Sequence, residues 1–243
     1  MLPTGLPNKL LNLIDGYNPE KYFYYQSNAV IYRLHNDSET LYLKIINPSS
    51  HLEQEYKILK WIDGRLSVPK PIYYDRVDLT EYLLTTQING TPVYQLEENK
   101  REKAVCILAD ALNMIHKLDT DGCPYSHSID RILLAGYQAY PEKSGLISRL
   151  EDIKPEENLT FTHGDYCLPN ILVDNGRLGG LIDWDYAGVG DPYRDYVSCI
   201  TSLQRNFGVK ISDDVWIPLF LEELGVKIDE EKLSYFMTLW SEL

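Results

Sequence analysis

Between Phe161 and Asp185 the sequence FTHGDYCLPNILVDNGRLGGLIDWD sets four carboxylates, two asparagines and a histidine around two short apolar runs. The runs, Ile171–Val173 and Leu181–Ile182, flank Asn175-Gly176, a dipeptide that accepts the positive φ angles of a tight hairpin turn. Folding the chain back there brings Asn170, just before the first run, towards Asp183, just after the second. Amide and carboxylate oxygens suit a hard cation, and Mg²⁺ takes one or two such groups and completes its shell with phosphate oxygens and water. Asp165 lies in the loop that leads into the same end, placed to accept a proton from a hydroxyl. Each of these residues alone is an ordinary turn or cap residue. Three of them converging point to phosphoryl transfer.

That reaction also needs a cation on the phosphates. The runs NAVIYRL and TLYLKII, separated by the polar cluster HNDSE, read as a β-hairpin. In the second run the two-residue strand period puts Lys44 on one face with Tyr42 and Ile46. A lysine there either guards a sheet edge or points into a cleft. The following stretch, SSHLEQEYKILKWI, opens with Ser50 and Glu53 at the spacing of a capping box. Leu52, Tyr56, Leu59 and Ile62 then share a helical face. Glu53 is accounted for by the cap, whereas Glu55 falls on the packing face, where a carboxylate needs a cation. Lys44 is the nearest one upstream, so we expect a strand lysine paired with a helix glutamate.

The other elements are scaffolding. EYLLTTQI is a further strand, closed by the turn signal Asn89-Gly90. REKAVCILADALNMIHKL is apolar around most of its circumference, apart from a stripe of Lys103, Asp110, Asn113 and Lys117. That pattern marks a helix at the centre of a helical region. His116 on it reads as a packed, hydrogen-bonded histidine. Near TTQINGTPV the chain changes from strand-rich to helix-rich.

Among the 243 residues 44% are hydrophobic and 24% charged, a globular balance with enough apolar surface for one domain or two lobes. No apolar run is long enough to cross a bilayer. MLPTGLPNKLLNLIDGY lacks the basic segment and apolar core of a secretory signal, and its LLNLI suits one face of a short helix. Cys106, Cys123, Cys167 and Cys199 are widely spaced, which argues against a zinc site or disulfide framework and fits a reducing cytoplasm. With 36 acidic against 23 basic residues the formal charge is −13. Such a surface repels nucleic acid and favours cationic small molecules, besides keeping the chain soluble.

His163-Gly164-Asp165, then Asn170, then Ile182-Asp183, resembles the catalytic core of the aminoglycoside phosphotransferases, relatives of the protein kinases. HGDYCLPNILVDNG is most similar to the branch that phosphorylates the 3′-hydroxyl of aminoglycoside antibiotics. The likeness continues in order through the strands around Lys44, WIDGRLSVPKP, CPYSHSID and the closing YFMTLWSEL, and so covers nearly the whole chain. It implies phosphorylation of an aminoglycoside hydroxyl by ATP or GTP, with Mg²⁺ as cofactor. Asp165 is then the base or hydroxyl-orienting group, and Asn170 and Asp183 bind magnesium. Lys44 contacts the α- and β-phosphates and is held by Glu55. Ser27, in YYQSNAV, lies nearest the phosphates, although that loop is not glycine-rich as in protein kinases. Gln87 and Ile88 belong to the hinge whose backbone binds the purine, and Asp195 ties down the catalytic loop. Asp185, Glu242 and the Leu243 terminus join Asp165 as the expected contacts to the antibiotic.

Two departures fall on the acceptor side. The segment between SIDRIL and the catalytic loop is short and carries no recognisable acidic antibiotic-binding loop, and Thr201 stands where some members have arginine. Weaker or narrower aminoglycoside use than in fuller-length relatives is therefore expected. The resemblance implies a two-lobed, protein-kinase-like α+β fold in a cytoplasmic monomer or homodimer. An N-terminal lobe of antiparallel strands and one helix should span residues 1–88, and a mainly helical lobe 89–243. The alternatives are a kinase for choline or another small alcohol or sugar, which LIDWDYAG also suits, and an inactive nucleotide-binding relative. The intact set of Lys44, Glu55, Asp165, Asn170 and Asp183 argues against the second.

Overall fold

Strand periodicity organises the first part of the chain. A computed structural model describes residues 1–22, 29–48, 51–207 and 215–243. Helix α1 (Asn8–Leu13) precedes strands β1 (Asn18–Tyr22), β2 (Val30–His35) and β3 (Thr40–Ile46). Helix α2 (Leu52–Ile62) then leads to β4 (Pro71–Val77) and β5 (Thr80–Thr86). The strands form one antiparallel sheet in the order β1-β2-β3-β5-β4. Alternation along β3 turns Leu41 and Leu43 to one face, where they are buried with Leu6, Leu10 and Ile14 from around α1. Each such side chain contributes on the order of 1.5–3 kcal/mol. Lys44, in register with Leu83 of β5, therefore faces the opposite side, towards α2.

Helix α2 starts at Leu52, with His51 as its cap residue. The expected cap by Glu53 is not its role here: Glu53 reaches one turn forward to Lys57, at 2.6 Å. Ser50, the other half of that capping box, lies outside the described residues. The buried face of α2 comprises Leu52, Glu55, Ile58, Leu59 and Ile62. Tyr56 is only partly buried and stacks on Tyr74 of β4. Ile58, Leu59 and Ile62 continue into the apolar cluster that fills the rest of the molecule.

That remainder begins with β6 (Thr91–Pro92), α3 (Arg101–His116), α4 (Ile129–Ala139) and α5 (Ser144–Asp152). Strands β7 (Thr160–Thr162), β8 (Ile171–Asp174), β9 (Arg177–Leu181) and β10 (Gly188–Gly190) follow, then α6 (Tyr193–Phe207), α7 (Trp216–Leu224) and α8 (Glu230–Glu242). Helix α3 is central: Leu108, Ala109, Leu112 and Ile115 are wholly buried, and it packs on α7. The small strands pair as β6-β8-β9 and β7-β10, so the helix-rich part also carries sheets. The β8–β9 hairpin turns at Asn175 and Gly176 with φ of 48° and 71°, the positive angles that this dipeptide tolerates. All four cysteines are free. Among the described residues no helix is long and apolar enough to cross a membrane.

Candidate active site

The loop after β7 is fastened before it reaches any substrate. At Gly164 φ is 83°, and an added Cβ would lie 2.2 Å from the Tyr186 carbonyl oxygen, so only glycine fits. Asp195, wholly buried in the first turn of α6, accepts hydrogen bonds from the backbone N–H groups of His163 (3.0 Å) and Gly164 (2.7 Å). His116 Nε2 lies 2.9 Å from the same carboxylate. Burial alone would raise the Asp195 pKa, but the hydrogen bond and charge of His116 outweigh it and hold the carboxyl below its usual range. Thr160 Oγ1 in turn donates to the His116 carbonyl. His116 is thus the packed, hydrogen-bonded histidine expected of it, and its partner is the anchor of the loop.

Asp165 follows on that loop. The side-chain amide of Asn170 donates to the Asp165 carbonyl and to Asp165 Oδ2, both at 3.0 Å. Both partners are acceptors only, so the amide nitrogen must face them and Oδ1 is directed away. Ser198 Oγ, one turn into α6, donates to Asp165 Oδ1 at 3.3 Å. Nothing in the local sequence marks Ser198; the packing of α6 on the loop brings it there.

Lys44 Nζ lies 2.9 Å from each Glu55 carboxylate oxygen and 2.6 Å from Asp183 Oδ1. Asp183 has φ of 68°, an uncommon angle outside glycine that turns its carboxylate back across the hairpin end. Burial would lower the Lys44 pKa, but Asp183 and Glu55 reverse it and keep the ammonium charged. Burial pushes Glu55 up despite Lys44. For Asp183 the lysine prevails over burial and lowers the pKa. Asp185 is pushed up to about 8 by burial and by the charges of Asp183 and Glu55. One lysine ammonium therefore sits among three carboxylates, those of Glu55, Asp183 and Asp185. Among the described residues no three His, Cys, Asp or Glu side chains could hold a metal by themselves. Asn170 Oδ1 and Asp183 are hard oxygen donors that could hold Mg²⁺ once phosphate oxygens complete the shell.

Lys44, Glu55, Asp165, Asn170, Asp183 and Asp185 line one cavity of about 570 Å³. The sequence pattern of the phosphotransferase enzyme family matches residues 26–232. The chain belongs to that family. An aminoglycoside 3′-phosphotransferase from Niallia circulans is 34% identical to this phosphotransferase, over 77% of each chain. One from Enterococcus faecalis is 29% identical over 98% of each. Among solved structures, an aminoglycoside-3′-phosphotransferase of type VIII superposes with a TM-score of 0.82 at 23% identity, covering 97% of both chains. The kinase-like α+β fold expected from the resemblance is the fold found.

The surroundings of the other expected site residues of this phosphotransferase vary. Ser27 lies outside the described residues. Gln87 and Ile88 follow β5 directly and do not line the cavity; the Gln87 N–H is already donated to the Thr40 carbonyl at 3.1 Å. Glu242 is turned to Lys143, which donates to its carbonyl at 2.6 Å and to its carboxylate at 3.3 Å. Leu243 reaches a second cavity of about 1010 Å³ that shares Asp165 and Asp185 with the first. Phe236, Leu239, Trp240 and Leu243 all line it. Their i, i+3, i+4, i+7 spacing was a readable helical stripe, and sequence reasoning passed over it.

The cleft carries charges of both signs. Its carboxylates are Glu55, Asp165, Asp183 and Asp185, and its cations are Lys44, Arg131, Arg194 and Arg205. Among the described residues these charged side chains balance formally, although the chain as a whole carries −13.

Proposed function

We propose that this phosphotransferase moves the γ-phosphoryl group of ATP or GTP to a hydroxyl of an aminoglycoside. Its likeness to aminoglycoside 3′-phosphotransferases supports the 3′-hydroxyl as the acceptor. One observation carries the reading: the Asp165 carboxylate, oriented by Asn170 and Ser198, shares a cavity with the cluster of Lys44, Glu55 and Asp183. A nucleotide donor is supported by a fold relative from Streptomyces rimosus, an aminoglycoside phosphotransferase solved with ADP and streptomycin.

In this reading Glu55 fixes the direction of Lys44, and Lys44 offsets charge on the α- and β-phosphates. Asp165 accepts the hydrogen bond of the acceptor hydroxyl, aims its oxygen at the γ-phosphorus, and takes the proton as the new P–O bond forms and the bond from the γ-phosphorus to the β–γ bridging oxygen breaks, leaving the nucleoside diphosphate. Asn170 Oδ1 and Asp183 would hold Mg²⁺, which would offset the negative charge of the transferring phosphoryl group. The buried Asp195 keeps the loop from drifting, which matters because an ångström of misplacement costs on the order of a hundredfold in rate.

The test is nucleotide consumption with ATP and with GTP, against aminoglycosides, choline and simple sugars. Aminoglycoside-stimulated consumption is expected, with the phosphate placed on the 3′ oxygen by NMR of the product. Stimulation by choline or a sugar alone would overturn the acceptor; consumption indifferent to every acceptor would overturn the transfer.

A further inference from the structure

The second cavity opens on Asp165, so it is where an acceptor must lie, and its walls are unlike those a polycation needs. Among the described residues Asp165 and Asp185 are the acidic side chains that line it, beside the Leu243 terminus, and Arg131 and Arg194 oppose them. Beside it, the Arg205 guanidinium of α6 lies over the Trp240 ring, 5.3 Å from its centroid. An aromatic face attracts cations, but at Trp240 the protein's own cation occupies that seat. The rest of the wall mixes uncharged polar side chains such as Gln54, His127 and Gln138 with open aromatic ones: Trp240 is 43% exposed, Tyr186 48% and Tyr140 39%. Large aromatic side chains left open beside a catalytic carboxylate offer contact to an apolar ligand face.

Resting on the reading that Asp165 serves aminoglycoside-type hydroxyl acceptors, we infer that Arg205 and Trp240 determine which of them are used. Arg205, seated on Trp240, disfavours acceptors with many ammonium groups. Trp240 and Tyr186 pack the apolar sugar face of acceptors that carry few. The favoured class is a sparsely aminated, amphipathic glycoside.

The experiment uses one aminoglycoside scaffold and its selectively N-acetylated derivatives, so that hydroxyls stay fixed and only ammonium number varies. With the wild-type protein kcat/KM for the acceptor should rise as amines are acetylated. Arg205→Glu should shift preference back towards the fully aminated acceptor by about fivefold, with the shift shrinking at high salt, and Arg205→Gln should give a smaller shift. Trp240→Ala should raise the acceptor KM about tenfold across the series and leave the nucleotide KM unchanged. A wild-type preference for the most charged acceptor, with the same order in Arg205→Glu, would overturn the inference. If no member is phosphorylated, the acceptor reading of the site fails by itself. Calorimetric binding of the same series to the wild-type protein then decides: tighter binding with fewer amines supports the role of Arg205, while the reverse order or no binding overturns it.

Discussion

Asn170 and Asp165 are joined twice, through the Asp165 carbonyl and through its carboxylate, both at 3.0 Å. The group proposed to receive the acceptor proton and the group proposed to hold magnesium therefore move as one. Asp165→Asn should lower turnover by about a hundredfold or more, within the usual range of roughly 10²–10⁴ for a lost general base, with nucleotide affinity nearly unchanged. Asn170→Ala should damage both turnover and the Mg²⁺ dependence of nucleotide binding. Steady-state kinetics beside calorimetry with and without Mg²⁺ separates them. Near-full activity in Asp165→Asn would remove that residue from its role.

Lys44 and Glu55 can be tested so that stability and chemistry part company. Lys44→Ala leaves Glu55, whose side chain is only 3% exposed, without its closest cation, a loss on the order of 3–5 kcal/mol for a broken buried pair. Replacing both, Lys44→Met with Glu55→Leu, should restore most of that stability and none of the activity. Chemical denaturation and turnover measured on the same samples decide it. Activity recovered by the apolar pair would mean that the ion pair is scaffold only.

His116 supports the site from behind. Its hydrogen bond to the buried Asp195 is charge-assisted, and losing it should cost on the order of 1–3 kcal/mol. His116→Ala should therefore lower the melting temperature by several degrees, at about 2–4 °C per kcal/mol for a chain of this size. It should also lower kcat while acceptor KM changes little, because the loop carrying Asp165 loosens. An unchanged melting temperature would count against the anchor.

His127 gives a pH dependence of known sign. Burial, with Arg194, Arg131 and His51 nearby, lowers its pKa to about 4 from a usual 6.5, although the Ala187 carbonyl opposes the shift. Above pH 6.5 the ring is neutral in both the folded and unfolded chain and contributes no slope. Between pH 6.5 and 4 the unfolded chain takes up a proton that the folded one refuses, so stability falls as pH falls and levels off below 4. The full extent is on the order of 3 kcal/mol, less to the degree that water reaches the ring. Denaturation of the wild-type protein and of His127→Asn across this range should differ by that slope; parallel curves would show that the ring titrates freely.

The parts of the site that could be read in the sequence were those tied to local periodicity. Asn175-Gly176 alone specifies the hairpin end at which Asn170 and Asp183 meet, and the strand period alone turns Lys44 away from Leu41 and Leu43. Strand β1, NPEKY, is almost wholly exposed, so it carries no apolar alternation to detect. Strands β6, β7 and β10 are only two or three residues long, too short for any period. The bond from His116 to Asp195 spans 79 positions, and Glu242 is claimed by Lys143 across 99. Such pairings exist only once the helices pack. Net charge is coarse for a different reason: it sums the whole surface and cannot say how much of it faces the cleft.

Helix α2 carries Glu55, yet its Ile58, Leu59 and Ile62 are embedded in the same apolar cluster as α3 and α6. Its Gln54 is also stitched across to His127 and to the Ala187 carbonyl. A kinase whose equivalent helix rides on a surface can be turned off by swinging that helix outward, breaking the lysine–glutamate contact. Here the same swing would tear open a core, at several kcal/mol for the apolar side chains alone. The contact between Lys44 and Glu55 is therefore set whenever the chain is folded. On the proposed reading, this contact does not have to be assembled before each turnover, and output follows how much of the enzyme is made and what reaches its cleft.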